Sequence, residues 1–169
     1  MAEKLNLATL KNMPILTKVS YLLATWLGSG LSPKAPGTMG SFCSLPLVWL
    51  VSFYGSWGVL IASVLTFFIG WYTTDVVLKT QKKHDPGYVV IDETVGQTLT
   101  FLWVASTGMS WYIYLIGFGL FRFFDIVKIW PASYFDKKVE NAFGVMTDDV
   151  VAGLYASLVL YGFVYFVFN

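Results

Sequence analysis

Three long stretches of this chain carry no charged side chain, and that pattern restricts its fold more than any other feature. Residues 35–74, 94–121 and 150–169 contain no Asp, Glu, Lys, Arg or His. All 11 basic and 10 acidic residues, and the single His, fall in the N-terminal segment, at Lys34, and in two loops, 75–93 and 122–149. A helix in water needs a charged face. A bilayer rejects one, because a charge at a helix centre costs about 2.5–3.5 kcal/mol even on insertion-derived scales. The chain therefore reads as an all-α integral membrane protein. Charged residues make up 12% of it, against roughly 25% for a soluble domain.

The lengths suggest a path. About 20 residues, at about 1.5 Å each, cross the hydrocarbon core. The first stretch is too long for one crossing and fits two helices, turning at Tyr54, Gly55, Ser56, Trp57 and Gly58. The last stretch fits one helix. The middle stretch fits either one long tilted helix or a hairpin broken at Ser106, Thr107, Gly108, Met109 and Ser110, and the hairpin is favoured. It puts every Lys and Arg on one side and leaves both opposite turns uncharged. The positive-inside rule then places the charged side in the cytoplasm, with Lys82, Lys128 and Lys138 facing it and Ser56 and Gly108 facing away. Hairpin arms of about 14 residues reach only about 21 Å, so they extend into the flanking loops or stop short of a full crossing. Residues 14–28 are expected to form an amphipathic or partly buried helix near the cytoplasmic interface. The expected architecture is one domain, 1–169: a small polytopic bundle of about five membrane helices or half-helices with an N-terminal interfacial helix.

Net charge is +1, which gives no reason to expect nucleic acid. Cys43 is the one cysteine and reads as a small packing residue. The apolar run after Lys18 is short for a signal peptide and no clear cleavage site follows it. The sequence is silent on oligomeric state.

Three polar clusters interrupt the apolar pattern. The first runs from Gly28 to Ser41 and holds four glycines, Pro33, Lys34 and Pro36 directly before an apolar helix. Glycines let a backbone approach a ligand closely. A helix start offers unpaired N–H groups, with Thr38 or Ser41 available as a cap. This composition suits a phosphate; it also suits an ordinary capping loop. The second cluster holds Lys82, Lys83, His84, Asp85, Pro86 and Gly87, a turn signal, and then Asp92 and Glu93, which open an apolar helix. Acids favour that position for its dipole, and Gln97 follows one turn on. Asp75 and Lys79 read as a helix-face ion pair.

The third cluster places Arg122, Asp125 and Lys128 at spacing three, on one helix face that Trp130-Pro131 ends. Asp136, Lys137, Lys138 and Glu140 read as solvated loop charge. Asp148 and Asp149 then lead into the last apolar helix, either as caps or as inward-facing acids. Under the hairpin topology all three clusters emerge on one membrane face, so Asp92, Glu93, Asp125, Asp148 and Asp149 could converge. All-oxygen ligation suits Mg²⁺ or Mn²⁺. One His and one Cys make zinc or haem a poor fit. A carboxylate-held Mg²⁺ beside a basic, Gly-rich loop is equipment for phosphate chemistry.

These residues resemble a known family. The pattern Gly28, Gly30, Pro33, Pro36, Gly37, Thr38, Gly40, Ser41, then Asp92-Glu93 with Gly96, then Phe121-Arg122, Asp125, Lys128 and Trp130-Pro131, then Gly144, Met146, Asp148-Asp149 and Ala152-Gly153, is similar to phosphatidylglycerophosphatase A. The four motifs cover nearly the whole chain in the same order. Two positions depart from the family pattern: Ile129 stands where a Pro is common, and Asn141-Ala142 where a Gly pair is. The resemblance implies a multi-pass enzyme of the bacterial inner membrane, Mg²⁺-dependent, acting on its cytoplasmic side. It implies hydrolysis of phosphatidylglycerophosphate to phosphatidylglycerol and inorganic phosphate.

On that reading Asp92, Glu93, Asp148 and Asp149 hold Mg²⁺, and Glu93, Asp149 and Asp125 form the catalytic group. Asp125 is a further ligand or the general base. Lys34, Arg122 and Lys128, with Gly37, Thr38, Gly40 and Ser41, hold the phosphate. Direct water attack and an Asp nucleophile both stay open. The alternative is a small cation-coupled membrane transporter using interfacial carboxylates. A transport path places acids near mid-bilayer, and the three uncharged stretches contain none.

Overall fold

The computed structural model describes residues 12–81, 86–107 and 110–168, and among them every regular element is a helix. Lys82, Lys83, His84 and Asp85 lie outside the described residues, as do Gly108 and Met109 of the expected hairpin turn. Seven α-helices follow in order: α1 (Ile15–Ala24), α2 (Pro36–Ser52), α3 (Gly55–Gln81), α4 (Ile91–Leu99), α5 (Trp111–Val127), α6 (Ala132–Lys138) and α7 (Ala142–Phe168). A 3-10 turn, Ser29–Leu31, precedes α2.

The stretch 35–74 divides in two, slightly earlier than expected. α2 ends at Ser52, and Gly55, at φ 63°, starts α3. Only glycine takes that backbone angle without cost. α2 begins with Pro36 in its first turn, where the missing N–H is no loss. Its N-cap is Ala35, with no side-chain cap. Thr38 and Ser41 therefore sit inside the helix and do not cap it.

The stretch 94–121 is two helices, not one. α4 stops after nine residues. Residues 100–107 continue as turns, and α5 begins at Trp111. At about 1.5 Å per residue α4 is about 13 Å long, far short of a bilayer. It packs against α2, α3, α5 and α7, and apart from exposed Trp103 residues 94–105 are buried. Irregular backbone at membrane depth is tolerated only where protein encloses it and its polar groups are satisfied. Here the Thr98 and Thr100 hydroxyls donate to the Thr94 and Gly96 carbonyls at 2.7 and 2.9 Å. Successive turns bond Leu102 N–H to Leu99 O and Ala105 N–H to Phe101 O, both at 3.0 Å.

The two uncharged turns meet. Ser56 N–H donates to Ser106 Oγ at 3.3 Å, and the two hydroxyls are 3.3 Å apart. Arg122 and Lys128, by contrast, join Glu93, Asp125, Asp136 and Asp148 at the other end of the helices. Asp75 and Lys79 form the expected i,i+4 pair.

α3 and α7 have 27 residues each and are the two described helices long and apolar enough to cross a membrane. A buried helix in a soluble core would pass the same length test, so exposure decides. Trp57, Ile61, Leu65, Phe68 and Tyr72 on α3 are exposed, as are Leu158, Tyr161, Tyr165 and Phe166 on α7. Ser63, Thr73, Thr74 and Ser157 on the same helices are buried. A water-soluble fold puts large apolar groups inside. Helices in lipid do the reverse, turning small and polar residues toward one another. The surface is that of a membrane-associated protein. α1 follows suit: it exposes Ile15, Leu16, Val19 and Leu22 and buries Ser20, Tyr21 and Ala24.

Candidate active site

Two glycines bring the acids together. α4 crosses α7 where Gly96 faces Gly153, so closely that a Cβ on Gly153 would overlap the Gly96 carbonyl oxygen. Glu93 lies one turn before Gly96 and Asp149 one turn before Gly153. The crossing therefore sets these two carboxylates against each other. Asp92, in the first turn of α4, completes a trio. One carboxylate oxygen from each of Asp92, Glu93 and Asp149 lies within 4.8 Å of the other two.

Asp148 and Asp149 do not cap α7. The helix starts at Ala142, and Asn141 Oδ1 accepts the Gly144 N–H at 3.0 Å. The acids sit beyond the first turn and face inward, Asp149 3% and Asp148 6% exposed. Asn141 is thus the true cap, and its residue type at that offset was the available signal. Asp148 is not one of the close trio. Its Oδ2 accepts from Lys128 Nζ, which also donates to Asp136 Oδ1 at 2.6 Å.

Lys128 is brought there by its backbone. α5 ends at Val127, before Trp130-Pro131, and Lys128 closes it in the left-handed region at φ 48°. Burial pulls the Lys128 ammonium's pKa down, but the Asp148 charge and the hydrogen bonds to Asp136 and Asp148 more than offset it and raise it. Lys128 is therefore a fixed positive charge tying α5, α6 and α7 together. Asp136 is correspondingly no solvated loop acid but part of the site.

Arg122 occupies the opposite side of the trio. Its Nη1 donates to Asp125 Oδ2 and, at 3.4 Å, to Ser41 Oγ, and lies 4.0 Å from Glu93 Oε1. Gly37, in the first turn of α2, closes the ring. A Cβ there would overlap Glu93 Oε1 and stand 3.2 Å from Arg122 Nη1. Ser41 Oγ is oriented by donating to the Gly37 carbonyl at 2.8 Å.

Of the expected phosphate-binding residues, Gly37, Ser41 and Arg122 come together. Gly40 instead packs against Val90, where a Cβ would be 2.7 Å from the Val90 Cβ. Lys34 is exposed, and neither it nor Thr38 has a contact with Arg122 or Glu93 among the hydrogen bonds and ion pairs of the described residues.

That pocket encloses about 170 Å³. Its lining includes Asp92, Glu93, Asp125, Asp136, Glu140, Asp148 and Asp149, with Lys128 the one cation among the described residues. Glu93 Oε2 is buried with no hydrogen-bond partner, as are Arg122 Nε and both polar atoms of Gln97. Seven carboxyl groups around so small a space repel one another until a cation or protons neutralise them. The donors are all oxygen, three are close enough for one ion, and one buried oxygen lacks a partner. The site therefore fits a hard divalent cation.

The acids lie at one end of the helices, with Arg122 beside Glu93 and Asp125. The family model for phosphatidylglycerophosphatase A matches residues 22–164, a span that contains every residue of this site. The Haemophilus influenzae phosphatidylglycerophosphatase A is 42% identical over 157 residues, covering 92% of this chain and 94% of that protein. The Escherichia coli phosphatidylglycerophosphatase A is 37% identical over 141 residues, covering 83% and 81%. A Bacteroides thetaiotaomicron protein with the provisional name of a phosphatidylinositol-3-phosphatase is 37% identical over 149 residues, covering 82% and 89%. No solved structure matches. With the family match spanning the four motifs in order, this chain belongs to the phosphatidylglycerophosphatase A family.

Proposed function

We propose that the chain hydrolyses the phosphomonoester of phosphatidylglycerophosphate, giving phosphatidylglycerol and inorganic phosphate. The single observation that carries the chemistry is the Asp92–Glu93–Asp149 trio facing Arg122, Ser41 and Gly37. The relatives named phosphatidylglycerophosphatase A supply the substrate.

Mg²⁺ is the cation that suits the trio, with Asp92, Glu93 and Asp149 holding it. When bound, it supplies neutralising charge for the phosphate oxygens and lowers the pKa of a coordinated water. The remaining work belongs to the chain. Arg122 is pre-set by Asp125 and Ser41, so its guanidinium is aimed before substrate arrives, and its planar donor set matches phosphate oxygens. The Gly37 N–H, in the first turn of α2, adds a backbone donor. Asp125 takes the proton of the attacking water or serves as a further ligand. With Asp125 as the base, the water oxygen bonds to phosphorus as its proton passes to Asp125, the P–O ester bond breaks, and the departing alcohol oxygen takes that proton from Asp125. Lys128, held charged by two carboxylates, contributes positive potential at the pocket's edge and no proton.

The placement follows from the charge pattern. The bundle of about five membrane helices or half-helices consists of α2, α3, α5 and α7 with the half-helix α4. α1 lies at the interface with Ile15, Leu16, Val19 and Leu22 in the lipid. The acids sit at the cytoplasmic side of a bacterial inner membrane, in a multi-pass chain. Phosphate release from phosphatidylglycerophosphate in detergent, with Mg²⁺ and with a chelator, tests the proposal. Release that needs Mg²⁺ supports it; no release from the purified protein under either condition sinks it.

A further inference from the structure

The seam between α2 and α5 has two unlike ends. At one end Gly37 and Ser41 of α2 face Arg122 of α5. From there the two helices run away from the acids together. Phe42, next to Ser41, meets Phe118, one turn before Arg122, edge to face with ring centroids 6.1 Å apart. Beyond that pair a groove of about 520 Å³ opens, lined by Phe42, Cys43, Pro46 and Trp49 of α2 and Trp111 and Tyr114 of α5. The far end closes where the Tyr114 and Ser52 hydroxyls approach to 3.2 Å. From residue 42 to residue 49 the groove runs about 10 Å along α2 at about 1.5 Å per residue.

The groove has no charge, and its one side-chain hydroxyl already has a partner. Its other polar groups are two indole N–H donors and the Cys43 thiol, none of them charged. The Phe42–Phe118 pair lies between the groove and an arginine and a helix start that suit a phosphate. A ligand filling both ends must carry an anionic head on a hydrocarbon chain. We propose that the α2–α5 groove takes one acyl chain of the substrate lipid while Arg122 holds the phosphate. The assignment rests on the lipid phosphatase reading above and adds where the hydrophobic part of the substrate lies. Continuity of the seam makes the occupant a substrate chain. An ordinary membrane phospholipid carries a phosphodiester with a single negative charge, whereas the substrate's terminal phosphomonoester carries nearly two and more free oxygens for Arg122 and the α2 start.

Chain length separates the possibilities. Phosphate release is measured in detergent with Mg²⁺ on a dipalmitoyl and a dihexanoyl phosphatidylglycerophosphate, for wild type and Cys43→Trp. Cys43 is exposed, so the larger side chain fills the groove without displacing core. Cys43→Trp is expected to lower kcat/KM for the long-chain substrate about tenfold, the scale of losing one or two methylenes of pocket contact. The short-chain substrate should change less than about twofold. Equal effects on both, or none on either, overturn the groove assignment.

A second measurement uses unmodified protein. A non-hydrolysable phosphonate analogue carrying a diazirine in its acyl chain should photolabel residues 42–49 and 111–114. A phosphatidylcholine with the same diazirine chain should not. Equal labelling by the phosphatidylcholine makes the groove a bulk-lipid contact and overturns the proposal. Wild type inert on both chain lengths overturns the phosphatase reading itself, and the groove assignment with it.

Discussion

Gly153 rests directly on the backbone of Gly96: a Cβ on Gly153 would stand 2.9 Å from the Gly96 Cα and overlap its carbonyl oxygen. No side chain is available to give way, so Gly153→Ala must push α7 off α4. Overpacking of this kind costs about 1–3 kcal/mol. Glu93 and Asp149 separate as a result. Expected outcomes are a lower thermal midpoint in detergent and a larger loss of phosphate release. Gly119 and Gly162 have nothing within 4 Å of such a Cβ. Alanine at either should leave activity unchanged and, by helix propensity, add up to about 1 kcal/mol of stability. A Gly153→Ala protein as active as the Gly162→Ala protein would show that the crossing does not set the site.

Asp149→Asn keeps the size of the side chain and removes one charge of the trio. Without Mg²⁺ the variant should be at least as heat-stable as wild type, because like-charge repulsion is relieved. The stabilisation that Mg²⁺ gives by binding the folded state should disappear. Phosphate release should fall by more than about 100-fold, consistent with several kcal/mol of lost charge stabilisation. Thermal scans with and without Mg²⁺, beside an activity assay, check all three. Undiminished Mg²⁺ stabilisation would remove Asp149 from the cation site.

Asp148 behaves differently because Lys128 holds it. Asp148→Asn leaves Lys128 with Asp136 alone, and Lys128→Met leaves a buried Asp148 charge unpaired. Each single change should destabilise the fold. The double variant should cost less than the sum of the two, since it removes both charges together. Strictly additive losses would mean that the pair does not interact energetically.

Arg122 and Glu93 lie 4.0 Å apart but face different tasks. Arg122→Lys keeps the charge and loses the planar two-pronged donor set, so KM for the lipid should rise about tenfold with half-saturating Mg²⁺ within about twofold of wild type. Glu93→Gln should lower kcat and weaken the apparent Mg²⁺ affinity. Magnesium titrations at several lipid concentrations distinguish the two. If both variants shift Mg²⁺ dependence equally, Arg122 orients the acids and does not grip substrate.

Ser56 and Ser106 place their hydroxyls 3.3 Å apart. Cysteines at both positions, on a Cys43→Ala background, should form a disulfide under mild oxidation, since side-chain tips already in contact need only a small shift to bond. A single continuous helix through 94–121 would put position 106 at mid-length, away from the turn at Ser56. Absence of the cross-link in folded, active protein would contradict the hairpin.

Charge distribution made much of this architecture legible, because lipid leaves charged residues nowhere else to go. The break between α2 and α3 follows from an uncharged stretch too long for a single crossing, and the one between α4 and α5 was favoured because it puts every Lys and Arg on one side. The early end of α4 at Leu99 was not legible. The residues after it, Thr100 to Val104, are as apolar as a helix, and only enclosure by four neighbours explains their unwinding. Asp92, Glu93 and Asp149 could be named from their clusters. Their division from Asp148 could not, because the Lys128 contact spans 20 residues and depends on a left-handed backbone at Lys128. Asp136 looked solvated because it lies in a charge-rich segment, and α6 turns it toward Lys128. The start of α7 was readable from Asn141 as a cap, but Asp148 and Asp149 were the more conspicuous acids.

The unwound segment after α4 also dictates an order of manufacture. Bare turns such as 100–105 cannot rest in hydrocarbon by themselves. α2 and α3 are made before them, but α7, the last of the described helices, supplies the rest of their enclosure along with Asp149. A chain that ends short of residue 142 holds two of the trio's acids without the third. A half-made chain therefore has no assembled centre with which to attack the lipids around it. In the proposed site, the last helix, α7, both brings Asp149 and covers the turns after α4.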